Sequence, residues 1–581
     1  MAPSFFFPNT WPLVGGDFNC YDSVFDKFGG APSLDSVFKG YKSGCRLGDA
    51  WRLKHPLEKQ FTWFNADLTI ASRLDSFFIP KSSYHLIISC DIFPCTYSDH
   101  DFVILNLDFR DRINRGPGVW KFNNSLLNDV LFRTEIVQLI EQSLLFRRAF
   151  KSVCDFWESL KSDIKSLSIS YSRRKSRIRC REKVLLTYQL ILLKRQLASG
   201  SDSVKAEILD LETALSSLFT LELEGLKIRS RVRWLEEGET PSRFFLNMGN
   251  QRCEKSYVSS ILNSDDVEVY SLEELLTVHE QFYTLLYSEE PIDSEVQNFL
   301  FSQVTSRLSQ PESDSCEGPL SLEELTEALR ISNKNKTPGP DGLTTEFYGS
   351  FWDLLGPLLV DVFNECFANG ELCQSMKASL TRLVFKRDDR RCLKNWRPIS
   401  LLNSDYKIGS KALSLRLSKV LGSFINTDQT CSVLHRSIFS NLTLLRDTLH
   451  FIDWSGETGI LISLDQEKAL DRVDRTVLTN LLNLSGFGPS FRNWIFTLYN
   501  DAYMQIIVND FLTNPVKLSR GVRQADALSP MLYVLCVEVL ACTIRNSSQI
   551  EGAESPVLPG LNLKSVSMQM IQLFLSRMSP P

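Results

Sequence analysis

The sequence predicts a multidomain α+β protein, and three changes of texture along the chain indicate this class. Residues 1–110 contain short β-branched and aromatic runs broken by Gly, Asp and Ser, which is typical of strands. Residues 111–307 carry apolar residues at spacings of three and four, which is typical of helices. Residues 320–581 mix the two patterns, and the polar, acidic stretch Ser309–Gly318 before them is predicted to be a linker.

The composition is that of an ordinary globular protein. The chain has 581 residues, of which 43% are hydrophobic and 23% are charged. No apolar run is long enough for a transmembrane helix, and the apolar start lacks a basic segment, so we expect an intracellular protein, cytoplasmic or nuclear. The fourteen cysteines show no CxxC pair and no zinc-like spacing, which predicts reduced thiols.

Basic residues are concentrated in two places, although the net charge is −5. Arg173–Lys183 holds seven basic residues and one acidic residue, and Ile228–Trp234 adds three arginines. Such runs are either solvated helix faces or contacts to a nucleic-acid backbone, and composition alone favours the solvated face. The candidate nucleic-acid contacts are Arg173, Arg174, Lys175, Arg177, Arg179, Arg229, Arg231 and Arg233.

A carboxylate follows directly on a short apolar run. Ile460–Leu464 is predicted to be a buried strand that ends at Asp465, and Asp474 is predicted to cap the next helix. Magnesium prefers oxygen ligands held on rigid elements, so Asp465 is a candidate metal ligand. Considered alone, an Asp at the end of a strand is more often a helix cap or a turn residue.

The elements around this strand can also be predicted. Ala378–Asp389 is predicted to be a strand, and a hairpin is expected to turn at Asn509–Asp510. A later helix should begin beside Pro530. A helix after residue 402 places apolar and basic residues on different faces. Its predicted inward residues are Leu413, Leu417, Val420 and Leu421, with Lys411, Arg416 and Lys419 largely off that face.

Five segments in this region resemble one known family. TPGPDG, NWRPISLLNSDYK, DQTCSVLHRSIFSN, LDQEKALDRV and GVRQADALSP, in this order, resemble the fingers and palm of a LINE-type (non-LTR) retrotransposon reverse transcriptase. The resemblance covers about residues 320–580. It implies an RNA-directed DNA polymerase with Mg²⁺ as cofactor and an RNA template and a DNA primer or target as partners.

The resemblance also implies roles for single residues. Asp465 would be the first catalytic metal ligand, and Gln524 would belong to a substrate-facing turn. Arg397 would lie near the incoming triphosphate or the template, although it could also be a surface charge. Leu470 occupies the position where the family has an aromatic residue that walls off the sugar 2′-hydroxyl.

The N-terminal region resembles a second module of such retrotransposons. VGGDFN, RLGDAW, FTWFN, SRLDSFF and YSDHDFV resemble the second half of an apurinic-endonuclease-like domain, which implies a partial α/β sandwich of the endonuclease/exonuclease/phosphatase fold. Asp17 and Asn19 would contact the scissile phosphate and the water nucleophile, and Asp75 matches a further acidic position. His100 would act on the phosphate or accept a proton, with Asp99 as its carboxylate partner.

The intervening helical, basic region resembles the linker of the same family. GVWKFN, Gly118–Asn123, and the segment Trp234–Met248 carry this similarity. In this context the basic runs are predicted to contact RNA or DNA, because phosphate neutralisation needs only a high density of Lys and Arg. Trp234, Arg243 and Phe244 would suit stacking on unpaired bases.

Several departures from the family predict impaired catalysis. Ala525, Asp526 and Ala527 replace a Gly-Cys-Pro turn, which introduces a Cβ and a charge, and Leu434–Arg436 replaces Pro-Gly-Arg. Similarity to the endonuclease begins only at VGGDFN, and no thumb or zinc knuckle is recognised. We therefore expect a protein truncated at both ends with little activity. A catalytically dead nucleic-acid-binding module and a decayed reading frame are the alternatives.

The acidic pair that should accompany Asp465 is replaced by Met568–Phe574. In the family a Tyr-Ala-Asp-Asp hairpin followed by Thr-Thr-Leu stands there, whereas this chain reads MQMIQLF. The codons TAT GCA GAT GAT ACA ACT CTT, read from their second nucleotide, give Met-Gln-Met-Ile-Gln-Leu and then a codon that begins with TT, such as one for Phe. This agreement predicts a frameshift just after Ser567.

Overall fold

The computed structural model divides into two compact units. The first contains Met1–Asn114 and Ser172–Cys253, and the second contains Arg115–Tyr171 and Glu254–Pro581. No described helix is both long and apolar enough to cross a bilayer. The described residues are 13–21, 23–29, 42–43, 47–65, 69–95, 98–108, 116–198, 204–230, 257–456, 460–464, 466–550, 553–554, 562–563 and 571–575.

Short antiparallel sheets dominate the N-terminal part of the first unit. Strand β6 lies between β1 and β3, β5 lies between β2 and β4, and β7 pairs with β8. One short helix, Ala50–Lys54, packs Trp51 into a small core with Ile79 and Cys90. The strands are β1 Val14–Asp17, β2 Lys27–Phe28, β3 Leu47–Asp49, β4 Trp63–Phe64, β5 Ala71–Ser72, β6 Asp75–Pro80, β7 Ile87–Phe93 and β8 Phe102–Leu107.

A buried arginine, Arg73, forms ion pairs with two carboxylates of this unit. The guanidinium of Arg73 donates to Asp26 at 2.9 Å and to Asp49 at 2.7 Å, and its side chain is 1% exposed. Because a buried charge is costly unless it is paired, both carboxylates are needed for Arg73 to lie in the interior. Arg73 of the SRLDSFF segment therefore has a structural role.

Two long helices also contribute to the first unit. Val153–Ala198 belongs to it from Ser172 onward, and Lys205–Ser230 packs against that part through Leu190, Ile208 and Leu215. The ammonium of Lys194 lies 3.2 Å from the carboxylate of Asp101. The helical character predicted from the three-and-four spacing is therefore observed over both helices.

The second unit is mainly helical around one mixed sheet. The sheet has the order β12-β11-β14-β15, with β16 also on β14; β11 pairs antiparallel with β12 and parallel with β14. Short pairs form between β9 and β10, β13 and β19, and β17 and β18. The strands are β9 Ile261–Leu262, β10 Glu268–Val269, β11 Ala378–Phe385, β12 Trp396–Leu402, β13 Ile460–Leu464, β14 Tyr503–Val508, β15 Phe511–Leu512, β16 Val516–Lys517, β17 Ala553–Glu554, β18 Asn562–Leu563 and β19 Ile571–Leu575.

The described helices of this unit mostly contribute to one large apolar core, although Leu272–Leu286 packs in a smaller core with the mixed sheet. Besides the first part of Val153–Ala198, they are Val130–Leu145, Leu272–Leu286, Ser294–Ser302, Gln310–Asp314, Leu322–Arg330, Thr345–Ser350, Trp352–Asn369, Gln374–Lys377, Ser404–Phe424, Ile438–Ser455, Arg475–Leu484, Pro489–Tyr499 and Ser529–Asn546.

Several local predictions are confirmed. Asn509 and Asp510 both have positive φ, 49° and 67°, which a tight two-residue hairpin turn requires. Asp474 caps the helix Arg475–Leu484 by accepting from the amides of Thr476 and Val477. Pro530 lies in the first turn of Ser529–Asn546, where its missing amide proton has no cost.

The stretch predicted to be a linker is instead packed. It forms the helix Gln310–Asp314, and Cys316 is fully buried. Arg416, which was expected largely off the buried face, is only 6% exposed. Its guanidinium donates to the carbonyls of residues 316–319 and to Glu324, at 2.6 to 3.1 Å. The polar composition of the stretch suggested exposure to solvent. Its carbonyl groups can instead be buried, because a residue distant in sequence, Arg416, donates hydrogen bonds to them.

The helix Val153–Ala198 also anchors the TPGPDG segment within this unit. The ammonium of Lys161 lies 2.7 Å from Asp405 and 3.4 Å from Asp341, and Trp157 donates to Asp405 at 3.0 Å. Gly342 has φ of 77°, and a Cβ there would lie 2.3 Å from Trp120 of the GVWKFN segment. Both segments therefore pack on this turn, and a side chain larger than hydrogen does not fit at Gly342.

Candidate functional site

The ladder between β1 and β6 brings two carboxylates together in the first unit. Asp17 is the last residue of β1, Asp75 is the first residue of β6, and the two are direct partners in the antiparallel register. Side chains of directly opposed residues leave the same face of a sheet. Sequence spacing alone does not fix this register, because residues 17 and 75 are far apart along the chain.

His100 completes this group. Its Nδ1 atom donates a 2.8 Å hydrogen bond to a carboxylate oxygen of Asp75. Ligand atoms of Asp17, Asp75 and His100 all lie within 4.8 Å of one another. Two carboxylates and an imidazole form a donor set that suits a divalent cation, and the same atoms can orient a water molecule or a phosphate oxygen.

The imidazole partner differs from the predicted one. Asp99 was expected to fix His100, but its carboxylate accepts a 3.1 Å hydrogen bond from the indole of Trp63. The reason lies in the fold: Asp99 is in a bend beside the Trp63 indole, and the start of β6 brings Asp75 to the imidazole of His100. Asn19 lies beside the group and has a φ of 50°. Its backbone N–H donates a 2.9 Å hydrogen bond to the carboxylate of Asp17.

The electrostatics of this group favour a protonated imidazole. Burial lowers the pKa of His100, but the hydrogen bond and the charge of Asp75, together with the charges of Asp17 and Asp99, outweigh burial and raise the pKa above its ordinary value. Asp99 therefore acts on His100 through its charge and not through contact.

In the second unit the predicted metal ligand Asp465 lies outside the described residues. The strand that leads to it, β13, is described and pairs antiparallel with β19 over five residues, from Ile460 opposite Leu575 to Leu464 opposite Ile571. The predicted strand Ile460–Leu464 is thus confirmed. Met568 and Met570, which replace positions of the family's hairpin, also lie outside the described residues.

Gln524 and Leu470 flank a buried carboxylate that the sequence did not single out. The Gln524 amide donates to both oxygens of Asp471, at 2.8 and 3.0 Å, and the Tyr287 hydroxyl donates to the same carboxylate at 2.7 Å. Burial raises the pKa of Asp471 although these hydrogen bonds oppose it. Leu470 is half-buried against the main core, and its carbonyl accepts from Val522 at 2.9 Å.

The substituted turn after Gln524 is accommodated by polar contacts. Ala525 takes a positive φ of 60°, the backbone geometry that glycine favours. Asp526 is buried, and its carboxylate accepts hydrogen bonds from the hydroxyls of Ser410 and Tyr406, the latter at 3.3 Å. The charge that looked misplaced in the sequence therefore has two donors, and burial raises the pKa of Asp526.

The predicted nucleic-acid contacts are only partly described. Arg397 is an exposed residue of β12. Arg173, Arg174, Lys175 and Arg177 are exposed and Arg179 is half-buried on the helix Val153–Ala198, while the side chain of Arg229 and all of Arg231 and Arg233 lie outside the described residues. Trp234, Arg243 and Phe244 lie outside them as well.

Comparison with known proteins defines the class of the second unit. Residues 384–556, which run from the end of β11 to just beyond β17, match the reverse transcriptase (RNA-dependent DNA polymerase) family. The chain therefore carries a reverse transcriptase domain, of a family whose members use divalent metal ions and bind nucleic-acid templates.

The relatives place the whole chain more narrowly. It is 33% identical over 566 residues to the transposon TX1 uncharacterized 149 kDa protein of Xenopus laevis, which covers 96% of this chain and 42% of that protein. It is 24% identical over 237 residues to the retrovirus-related Pol polyprotein of the type-1 retrotransposable element R2 of Nasonia vitripennis. This match covers 41% of this chain and 22% of that polyprotein. The chain is therefore related to the polyproteins of LINE-type, non-LTR retrotransposons, and it spans less than half the length of these two relatives.

Proposed function

We propose that this chain is the template- and primer-binding, RNA-directed DNA polymerase portion of such a polyprotein, and that its catalytic step is impaired. The observation that carries the proposal is the pairing of β13 with β19. The strand leading to Asp465 has as its hydrogen-bonded neighbour a segment, Ile571–Leu575, that contains no carboxylate.

The chemistry explains why this neighbour matters. Nucleotidyl transfer uses two metal ions, here Mg²⁺, which activate a 3′-hydroxyl and stabilise the leaving pyrophosphate. Asp465 would hold Mg²⁺ as one ligand, but a hard cation with a single carboxylate is weakly held. The family's second carboxylates would come from the segment just before and at the start of β19, where Met570 and Ile571 stand in the frame as written.

The proposal is tested by restoring the acidic pair. Met570→Asp combined with Ile571→Asp, or the full replacement of 568–574 by Tyr-Ala-Asp-Asp-Thr-Thr-Leu, should gain Mg²⁺-dependent primer extension on poly(rA). Asp465→Ala in the restored background is the matched control and should abolish that gain. Strong extension by the unmodified chain, or genomic reads without Tyr-Ala-Asp-Asp codons in a neighbouring frame, would contradict the proposal.

Nucleic-acid binding should persist without catalysis. The exposed arginines 173, 174 and 177 on one helix supply the charge density that phosphate contacts need. RNA affinity should therefore fall steeply with salt for both the unmodified and the restored chain. Changing Arg173, Arg174 and Arg177 to Gln should reduce the salt dependence, whereas Arg330→Gln and Arg446→Gln, at exposed residues of other helices, should leave it unchanged.

A second candidate activity resides in the first unit. The convergence of Asp17, Asp75 and His100 favours cleavage of nucleic-acid phosphodiesters with a divalent cation, Asp17 and Asp75 holding the cation and His100 carrying the proton. Nicking of supercoiled plasmid with Mg²⁺ should be lost in Asp75→Ala and retained in His85→Ala, which alters an exposed histidine of the same unit. Equal nicking by both variants would refute this assignment.

A further inference from the structure

Three cysteines that are far apart in the sequence meet in the second unit. Cys154 lies in the first turn of Val153–Ala198, Cys366 lies in the last turns of Trp352–Asn369, and Cys373 directly precedes Gln374–Lys377. The sulfur of Cys366 lies 3.6 Å from that of Cys154 and 3.9 Å from that of Cys373. All three sulfur atoms lie within 4.8 Å of one another.

The spacing matches the edges of a metal–thiolate polyhedron. With zinc–sulfur bonds of about 2.3 Å, sulfurs are about 3.8 Å apart around a tetrahedral ion and about 4.0 Å apart around a trigonal one. A disulfide would instead require about 2.05 Å, and all three residues are free thiols. Among the described residues, no histidine or carboxylate joins the group as a fourth ligand.

One of the three cysteines is less buried than the other two. Cys366 is 0% exposed and Cys373 is 3% exposed, whereas Cys154 is half-buried. A thiophilic cation can displace the three thiol protons as it binds, because the thiolate is the form that ligates a metal.

We propose that Cys154, Cys366 and Cys373 form a three-thiolate site for a thiophilic d10 cation, Zn²⁺ or Cu⁺, with the fourth position open to water on the Cys154 side. Soft thiolates select these ions over the hard Mg²⁺ that a polymerase site takes. The site would join the helix Val153–Ala198 to the segment that leads into β11, so its effect is on stability and does not depend on the catalytic proposal.

The test uses the full chain purified in reductant and loaded separately with Zn²⁺ or Cu⁺. We expect one equivalent of one of these ions after desalting, measured by plasma mass spectrometry, and a higher melting temperature than for the metal-free protein. Co²⁺ in place of Zn²⁺ should give a thiolate-to-metal charge-transfer band. Cys154→Ser, Cys366→Ser and Cys373→Ser should each lose the bound equivalent.

Cys316→Ser is the matched control, because Cys316 is also a buried free thiol of this unit but lies outside the group. It should keep the ion. If Cys366→Ser fails to fold, the half-buried Cys154→Ser still decides the question. Retention of neither ion, equal loss in Cys316→Ser, or a Cys154–Cys366 disulfide as the form that resists metal loading would overturn the proposal.

Discussion

Asp17 lies directly opposite Asp75 in the ladder between β1 and β6, and Asp75 accepts a 2.8 Å hydrogen bond from His100. The three side chains come from two strands and from the segment before β8. Their convergence therefore depends on the antiparallel register of β1 on β6, and a slip of one residue would turn Asp17 to the other face of the sheet.

The pKa of His100 should lie above its ordinary value, because the Asp75 hydrogen bond and the charges of Asp75, Asp17 and Asp99 together outweigh burial. Asp75→Asn should lower this pKa, as followed by NMR of the imidazole. Since the folded pKa is raised, the pair stabilises the fold fully below the unfolded pKa and loses that contribution as pH rises through the folded pKa. Asp99→Asn should shift the pKa less, and an equal shift in the two variants would contradict the observed pairing.

Lys161→Met should destabilise the second unit by about 3–5 kcal/mol, because it leaves buried Asp405 without its cation. The measurement is a urea transition followed by tryptophan fluorescence, to which neighbouring Trp157 contributes. Lys151→Met, at an exposed lysine just before the same helix, should change the transition by less than about 0.5 kcal/mol. Similar midpoints for the two variants would argue against the buried ion group.

Asp471→Ala should lower the free energy of unfolding by about 1–3 kcal/mol, because it removes the hydrogen-bond acceptor of both Gln524 and the buried Tyr287 hydroxyl. Lys517→Ala, which breaks an exposed pair with Asp501, should lower the free energy of unfolding by at most about 1 kcal/mol. Thermal melts of the two variants compare them directly. A double change, Asp471→Ala with Tyr287→Phe, should be less damaging than the sum of the single changes.

Ala525→Gly should stabilise the turn by up to about 1 kcal/mol, because a left-handed alanine costs about 1–2 kcal/mol and Ala525 is exposed, so no packing is lost. Ala527→Gly, two residues later, should instead destabilise by about 0.5–1 kcal/mol through added chain entropy. Chemical denaturation of both variants measures whether the free energy of unfolding rises in Ala525→Gly and falls in Ala527→Gly. A loss of stability in Ala525→Gly would show that the turn is not strained.

Local chemistry made part of the second unit predictable. Asp474 as a helix cap, Pro530 in a first turn and the Asn509–Asp510 hairpin each depend on neighbouring residues, so their patterns suffice. The ordered reverse transcriptase motifs identified the family, as the match over residues 384–556 confirms.

The remainder depends on contacts between distant segments. The pairing of His100 with Asp75 needed the fold of the first unit, because sequence proximity favoured Asp99. The cysteine group could not be predicted either, because residues 154, 366 and 373 do not follow a metal-binding spacing and meet only in the folded chain. The packed stretch 309–318 was mistaken for a linker because the arginine that satisfies its carbonyls lies about a hundred positions later.

The Arg416 contacts determine where the gene can be cut for expression. A fragment that begins at residue 320, as the family similarity suggests, would delete the four carbonyl groups of residues 316–319 that accept from Arg416. It would leave a guanidinium in the interior with Glu324 as its remaining partner from this set. Cloning should therefore start upstream of Gly116, which keeps these carbonyls and the Lys161 helix in the same polypeptide.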